Sequence, residues 1–185
     1  MACFFGFGSL VNTGTHRYEP HTPAKVLGWK RAWINYDCYD HAFLSVVPDE
    51  NSQIQGLMAK VPNDDWIELD AREVGYARRM LKDAEWQSEP SSLVVTEHPD
   101  DVQMYVHAQG EFAQPEKPIL YSYLETVLHG YYQWFGPEGV QAFIDSTVAW
   151  TDILDDREKP IYPRYVSAQG GAIDVVIPAI EQLRE

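Results

Sequence analysis

Apolar residues along this chain keep a strand-like spacing, turn helical, return to strands and end helical, and that order limits the folds open to it. Cys3 to Phe7 reads as a short buried strand running into the turn Gly8-Ser9-Leu10. Val26 to Tyr36 reads as a long strand with Gly28 at a bulge. Ala42 to Val47 is a third strand stopped by Pro48, and Gln53 to Val61 a fourth stopped by Pro62. The period then changes. Asn63 or Asp64 caps a helix through Glu73, acidic residues fill its first turn, and Gly75 ends it. Strand-like segments return at Tyr76 to Leu81, Leu93 to Thr96 and Gln103 to His107. Beyond Pro115 and Pro118, Ile119, Tyr123, Val127 and Tyr131 keep a spacing of four. Pro137 opens another helix, with Val140, Phe143, Ile144, Thr147 and Val148 on one face. Strands and helices segregate, which predicts an α+β fold with a mixed or mainly antiparallel sheet, or small barrel, and flanking helices.

The 185 residues fit a single domain over 1–185, with 150–185 as a C-terminal extension packed on it and Asp155 to Lys159 as a solvated loop. Charge excludes some partners. The formal net charge is −14, which repels phosphate backbones and anionic lipid, so no nucleic acid and no membrane partner is expected. Cys3 and Cys38 make neither a disulfide framework nor a zinc pair, and the plain expectation is reduced thiols in a cytoplasmic protein. Residues 1–5 lack the basic region and apolar run of a signal peptide, and no apolar stretch approaches the roughly 18 residues of a membrane span. His16, His21, His41, His98, His107 and His129 have no metal-ligand spacing, so no metal is expected. The oligomeric state is left open.

The short helix carries the sharpest chemical signal. At about 100° per residue, Glu73 falls between Trp66 and Leu69, on an apolar arc extended by Ile67 and Val74. Asp70 lies inside that arc, whereas Asp64, Glu68 and Arg72 occupy the opposite, polar face. A buried carboxylate is costly to ionise, so its pKa rises toward the range useful for proton transfer. The pattern alone also allows, and favours, a plainer role, in which Glu73 pairs with an arginine or a backbone amide or simply lies at the helix end near solvent. Asp70 is either a second acid beside it, a cap or an arginine contact.

The turn Gly6-Phe7-Gly8-Ser9-Leu10 can aim backbone N–H groups at an anion or carbonyl oxygen, or can be a tight turn that simply needs glycine. It is not a dinucleotide fingerprint, because position 11 is Val11, and not a G-x-S-x-G elbow, because position 7 is Phe7. The aromatic residues Tyr123, Tyr131, Tyr132, Trp134 and Phe135 pack a core or line a pocket.

Four segments together resemble the γ-glutamyl cyclotransferase superfamily, and within it the ChaC-like branch. Phe5-Gly6-Phe7-Gly8-Ser9-Leu10 resembles its opening F-G-Y-G-S-L signature, and Leu69 to Tyr76 its L-D-x-R-E-x-x-G-Y segment. Gly28 to Trp33 resembles its G-W-x-R-x-[FW] strand, and Ser122-Tyr123-Leu124 the start of a later helix. Phe7 stands where the family carries tyrosine, one residue fewer separates Glu73 from Gly75-Tyr76, and Pro160 to Arg164 departs from the glutathione-degrading members.

The resemblance implies a γ-glutamyl cyclotransferase-like mixed sheet or small barrel with flanking helices. It implies a small-molecule γ-glutamyl substrate whose α-amine attacks its own δ-carbonyl, releasing 5-oxoproline without a cofactor. Glu73 is then the catalytic base and acid. Phe7, Gly8, Ser9 and Leu10 bind substrate, with Tyr123 donating a hydrogen bond into the cavity. The substrate is glutathione, a γ-glutamyl amino acid or a γ-glutamyl amine. The competing expectation is a non-catalytic binding or regulatory module with the same pocket.

Overall fold

The computed structural model describes residues 1–36, 39–88, 99–107, 111–114 and 116–185. Its strands are β1 (Ala2–Gly6), β2 (His21–Asn35), β3 (Phe43–Lys60), β4 (Ala77–Leu81), β5 (Trp86–Ser88), β6 (Asp101–Val106), β7 (Glu111–Phe112), β8 (Ile119–Leu120), β9 (Thr147–Val148) and β10 (Ile153–Leu154). The helices are α1 (Ile67–Arg72), α2 (Tyr121–Asp145) and α3 (Ile173–Leu183). One curled mixed sheet runs β4-β6-β1-β3-β2-β5, with β7 and β9 added along β2. The β1–β6 and β2–β9 pairs are parallel and the other pairs of this sheet antiparallel. This is the α+β fold that the segregated periods predict.

β1 is buried along its whole length because the sheet continues on both its edges and is covered on both faces. Phe5 joins the main core with Trp33, Leu44, Ile54 and Leu57, while Phe4 joins a smaller cluster with Leu69, Trp66 and Tyr105. α1 is thereby fixed on one side of β1 and α2 on the other.

Several boundaries differ from expectation. β2 begins at His21 rather than Val26, and α1 begins at Ile67 with Trp66, not Asn63 or Asp64, at its cap. Thr147 and Val148, expected on a helix face, form β9 past the end of α2. Phe43–Lys60 is one strand rather than two, but its ladder with β2 lapses between Pro48 and Gln53, opposite a register shift at Gly28. Gly28 has φ 79°, the left-handed conformation that a bulge demands and glycine adopts freely. Pro48 interrupts the hydrogen bonding without turning the chain away. The segment expected as a strand at Leu93 to Thr96 lies outside the described residues, as does Cys38; Cys3 is a buried free thiol.

α2 is straight in register as far as Gly136, whose φ of 67° breaks it before Pro137 restarts it. Gly130 lets α2 approach the turn after β1: a Cβ there would lie 2.6 Å from the Asn12 nitrogen. Asn12 Nδ2 closes the contact by donating to the Thr126 carbonyl at 2.8 Å. α3 packs on α2 through Val176 and Ile180, which join the main core. Among the described residues no helix is long and apolar enough to cross a membrane.

Candidate active site

The turn that follows β1 is held from below by a buried cation. Arg31 of β2 donates from Nε to the Phe7 carbonyl at 3.2 Å, and the Tyr131 hydroxyl donates to the same oxygen at 2.9 Å. Arg31 also reaches the Gln55 carbonyl and Ser146 Oγ, so its charge is solvated by fixed dipoles in place of water. The turn then closes as a single 3₁₀ turn, with Val11 N–H donating to the Gly8 carbonyl and Asn12 N–H to that of Ser9. Gly8 is needed for close approach: a Cβ on it would sit 2.8 Å from the Tyr123 hydroxyl.

That hydroxyl comes from the first turn of α2. The Tyr123 ring is wedged edge-on between Trp33 and Tyr162, at centroid distances of 5.9 and 5.0 Å. Burial raises its pKa well above the ordinary phenol value, with the hydroxyl of Tyr76 nearby adding to the rise and the Ser9 backbone pulling against it. Tyr123 is therefore a neutral hydroxyl at any physiological pH. Tyr76 stands across from it and donates to the Leu44 carbonyl at 2.8 Å.

Glu73 completes the arrangement, by a route the helical wheel did not foresee. α1 ends at Arg72, and Glu73 lies just past it at φ −94° and ψ 45°. Ile67 and Val74, expected on a buried arc, are 74% and 67% exposed. Only Trp66 and Leu69 of that arc are buried. The wheel carried a 100° step through a residue that is no longer helical. The Glu73 side chain nevertheless turns inward and is 17% exposed.

Arg72, expected on the polar face, is the larger correction. Its side chain is 8% exposed, and its Nε donates to Glu73 Oε1 at 2.9 Å. Its other nitrogens reach the Thr15 carbonyl, Thr15 Oγ1 and Ser9 Oγ at 2.9, 3.0 and 3.3 Å. It straps the carboxylate to the turn. Glu73 Oε2 accepts no hydrogen bond among the described residues. Burial pushes the Glu73 pKa up, while Arg72 and then Arg164 pull against it. Asp70 is not beside Glu73: it accepts from the Tyr105 hydroxyl at 2.6 Å and pairs with Arg78 at 2.9 Å.

Two spaces meet at these groups. One, of about 340 Å³, opens between the end of α1, residues 39–43, the start of α2 and residues 161–164. The other, of about 40 Å³, lies against Phe7, Gly8, Ser9 and Leu10. Ser9, Glu73, Tyr76 and Tyr123 line both, so the expected site residues converge on one place. Arg72, Tyr76, Tyr162 and Arg164 belong to the lining but escaped the sequence reading. Tyr131, Tyr132, Trp134 and Phe135 pack in or against the core and line neither space. Among the described residues no group of His, Cys, Asp and Glu is placed to hold a metal ion. Chemically, the site offers a partly buried carboxyl with one free oxygen, neutral hydroxyls and a backbone turn, which suits proton transfer beside a developing oxyanion.

The sequence matches no protein-family model and no curated protein. Its fold matches several solved structures. A γ-glutamyl cyclotransferase superposes with a TM-score of 0.59 at 13% identity, over 95% of this chain and 98% of that one. An uncharacterized protein from Homo sapiens gives 0.55 at 13% identity, over 95% and 97%. YkqA from Bacillus subtilis gives 0.59 at 15% identity over 78% of this chain, which spans only 53% of that longer protein. The fold is thus that of γ-glutamyl cyclotransferases, as the motif resemblance implied; these matches bear on the superfamily fold and not on the ChaC-like branch within it.

Proposed function

We propose that the chain is a γ-glutamyl cyclotransferase that releases 5-oxoproline from a γ-glutamyl substrate. The observation that carries this reading is Glu73: a partly buried carboxyl, strapped by Arg72 through one oxygen, with the other free where the two spaces join. The fold likeness to a γ-glutamyl cyclotransferase supports it.

The reaction is intramolecular. The site's first task is to hold the γ-glutamyl group curled, so that its α-amine sits against its δ-carbonyl; such pre-organisation can supply much of the rate. An ammonium cannot attack, so Glu73 Oε2 takes a proton from it. The amine nitrogen then bonds to the carbonyl carbon. Negative charge gathers on the carbonyl oxygen, where backbone N–H groups of the Gly8-Ser9-Leu10 turn and the Tyr123 hydroxyl are the available donors. Collapse expels the second amine, to which Glu73 returns the proton. The attacking nitrogen still carries one proton too many for a lactam and gives up a second through the same carboxyl, so the amine leaves as its ammonium. Proton balance closes within the substrate and one carboxyl, so the step needs no metal or cofactor. Raising the Glu73 pKa suits both halves, since a carboxyl poised nearer neutrality both accepts and gives a proton.

Incubation with a panel of γ-glutamyl dipeptides, γ-glutamyl amines and glutathione, with 5-oxoproline as readout, tests the reading. Product from at least one class is expected. Absence of product from all of them, with binding intact, would favour a non-catalytic module.

A further inference from the structure

Resting on that reading, we propose that Arg164 determines specificity by gripping a carboxylate on the leaving amine, so that the preferred substrate is a γ-glutamyl dipeptide whose second residue is apolar.

The two spaces divide the labour. Chemistry must occur at Glu73, where they meet. The smaller one, against the glycine turn, has room only for part of the glutamyl group. The leaving amine therefore projects into the larger one. Its walls there are apolar and aromatic, from Tyr39, Phe43, Val74, Leu120 and Ile161. Val74 and Ile161 are exposed apolar side chains at its edge, which an apolar ligand would cover.

Within this lining the cations are unequal. Arg72 is committed to Glu73, Ser9 and Thr15. His41 is held toward its neutral form by burial, which lowers its pKa. Arg164 lines the larger space and, among the described residues, makes no ion pair and no hydrogen bond. The carboxylate that Arg164 feels is that of Glu73, but Arg72 already holds that group. Arg164, exposed at the cavity of a chain of net charge −14, therefore keeps hydrogen-bonding capacity that a ligand anion can fill. The carboxylate of a leaving amino acid is one carbon removed from its nitrogen, so it stays inside the same space as Arg164. A γ-glutamyl amine lacks that carboxylate, and a basic one would meet like charge.

The test uses two substrates that differ by one group, γ-glutamyl-leucine and γ-glutamyl-isoamylamine. The wild type is expected to favour the dipeptide in kcat/KM by roughly tenfold, the size of a charge-assisted contact at a solvent-facing site. Arg164→Gln should erase most of that ratio, chiefly through KM, and Arg164→Lys should restore part of it. Equal loss on both substrates would place Arg164 on the glutamyl portion and overturn the proposal. An unchanged ratio would overturn it too, while leaving the cyclotransferase reading intact. If neither yields 5-oxoproline while another γ-glutamyl compound such as glutathione does, the proposal falls and the cyclotransferase reading stands; if none does, both fall.

Discussion

Arg72 touches both Glu73 and the turn that faces it, through Oε1 on one side and Thr15 and Ser9 on the other. Its positive charge holds the Glu73 pKa below where burial alone would put it. Removing that charge in Arg72→Gln therefore raises the pKa further. Since the base must be ionised to act, activity climbs as pH rises through this pKa. The acidic limb of kcat/KM should move to higher pH by on the order of one unit, with folding retained. A limb that stays put or moves to lower pH would show that Arg72 does not act through Glu73. This pair also marks what a sequence can disclose at the residue scale. The wheel turns Glu73 inward, but on an arc whose members Ile67 and Val74 are exposed and through a position that is not helical, and it does not disclose the partner Arg72. A wheel assigns faces only while the helix lasts, and Arg72 is its last residue.

At the scale of elements, the contact that sets the site is the crossing of α2 over the turn after β1. Gly130 is the point of closest approach, since a Cβ there would meet Asn12 N and Cα at 2.6 and 2.7 Å. Both neighbours are backbone and cannot step aside. Gly130→Ala should cost about 1–3 kcal/mol in urea unfolding, the range of core overpacking, and should displace Tyr123 from Gly8. A cost under a few tenths would mean that α2 is free to shift. The long strands and the long helix were legible in outline from their periods. Proline punctuation misled at Pro48, which lies inside β3, and Thr147 and Val148, read as part of a helix face, form β9. α3 was not read as a helix. Its apolar stripe, Val176 and Ile180, is helical in spacing, but Pro178 lies between them and proline ordinarily ends a helix. Here packing of α3 on α2 overrides that local signal.

Taken whole, the molecule builds its cavity from segments far apart in sequence, and the last of them, residues 161–164, is tied down by two buried acids. Asp156 accepts from Ser122 N–H, Ser122 Oγ and Ile161 N–H at 2.8, 2.6 and 2.8 Å. Glu125 accepts from the Tyr165 hydroxyl and Ala168 N–H at 2.6 and 2.8 Å. Asp155 to Lys159, expected as a solvated loop, is mostly so, but Asp156 within it is buried and anchors the cavity wall. No motif announces this, because all of these bonds but that of Ile161 to Asp156, 5 positions apart, join residues 34 to 43 positions apart. Asp156→Ala should lower stability by about 2–4 kcal/mol, from hydrogen bonds to a charged group lost together. It should also raise KM more than it lowers kcat, since Tyr162 and Arg164 lose their support while Glu73 keeps its own. Loss confined to kcat would contradict that division.

The proposed chemistry turns on one carboxyl. Glu73→Gln keeps the shape of the side chain and removes only its capacity to take a proton. With a γ-glutamyl dipeptide that the wild type turns over, its kcat for 5-oxoproline release should fall by about 10²–10⁴-fold, with unchanged melting behaviour. Turnover within a few-fold of wild type would contradict the assignment of Glu73 and the mechanism built on it.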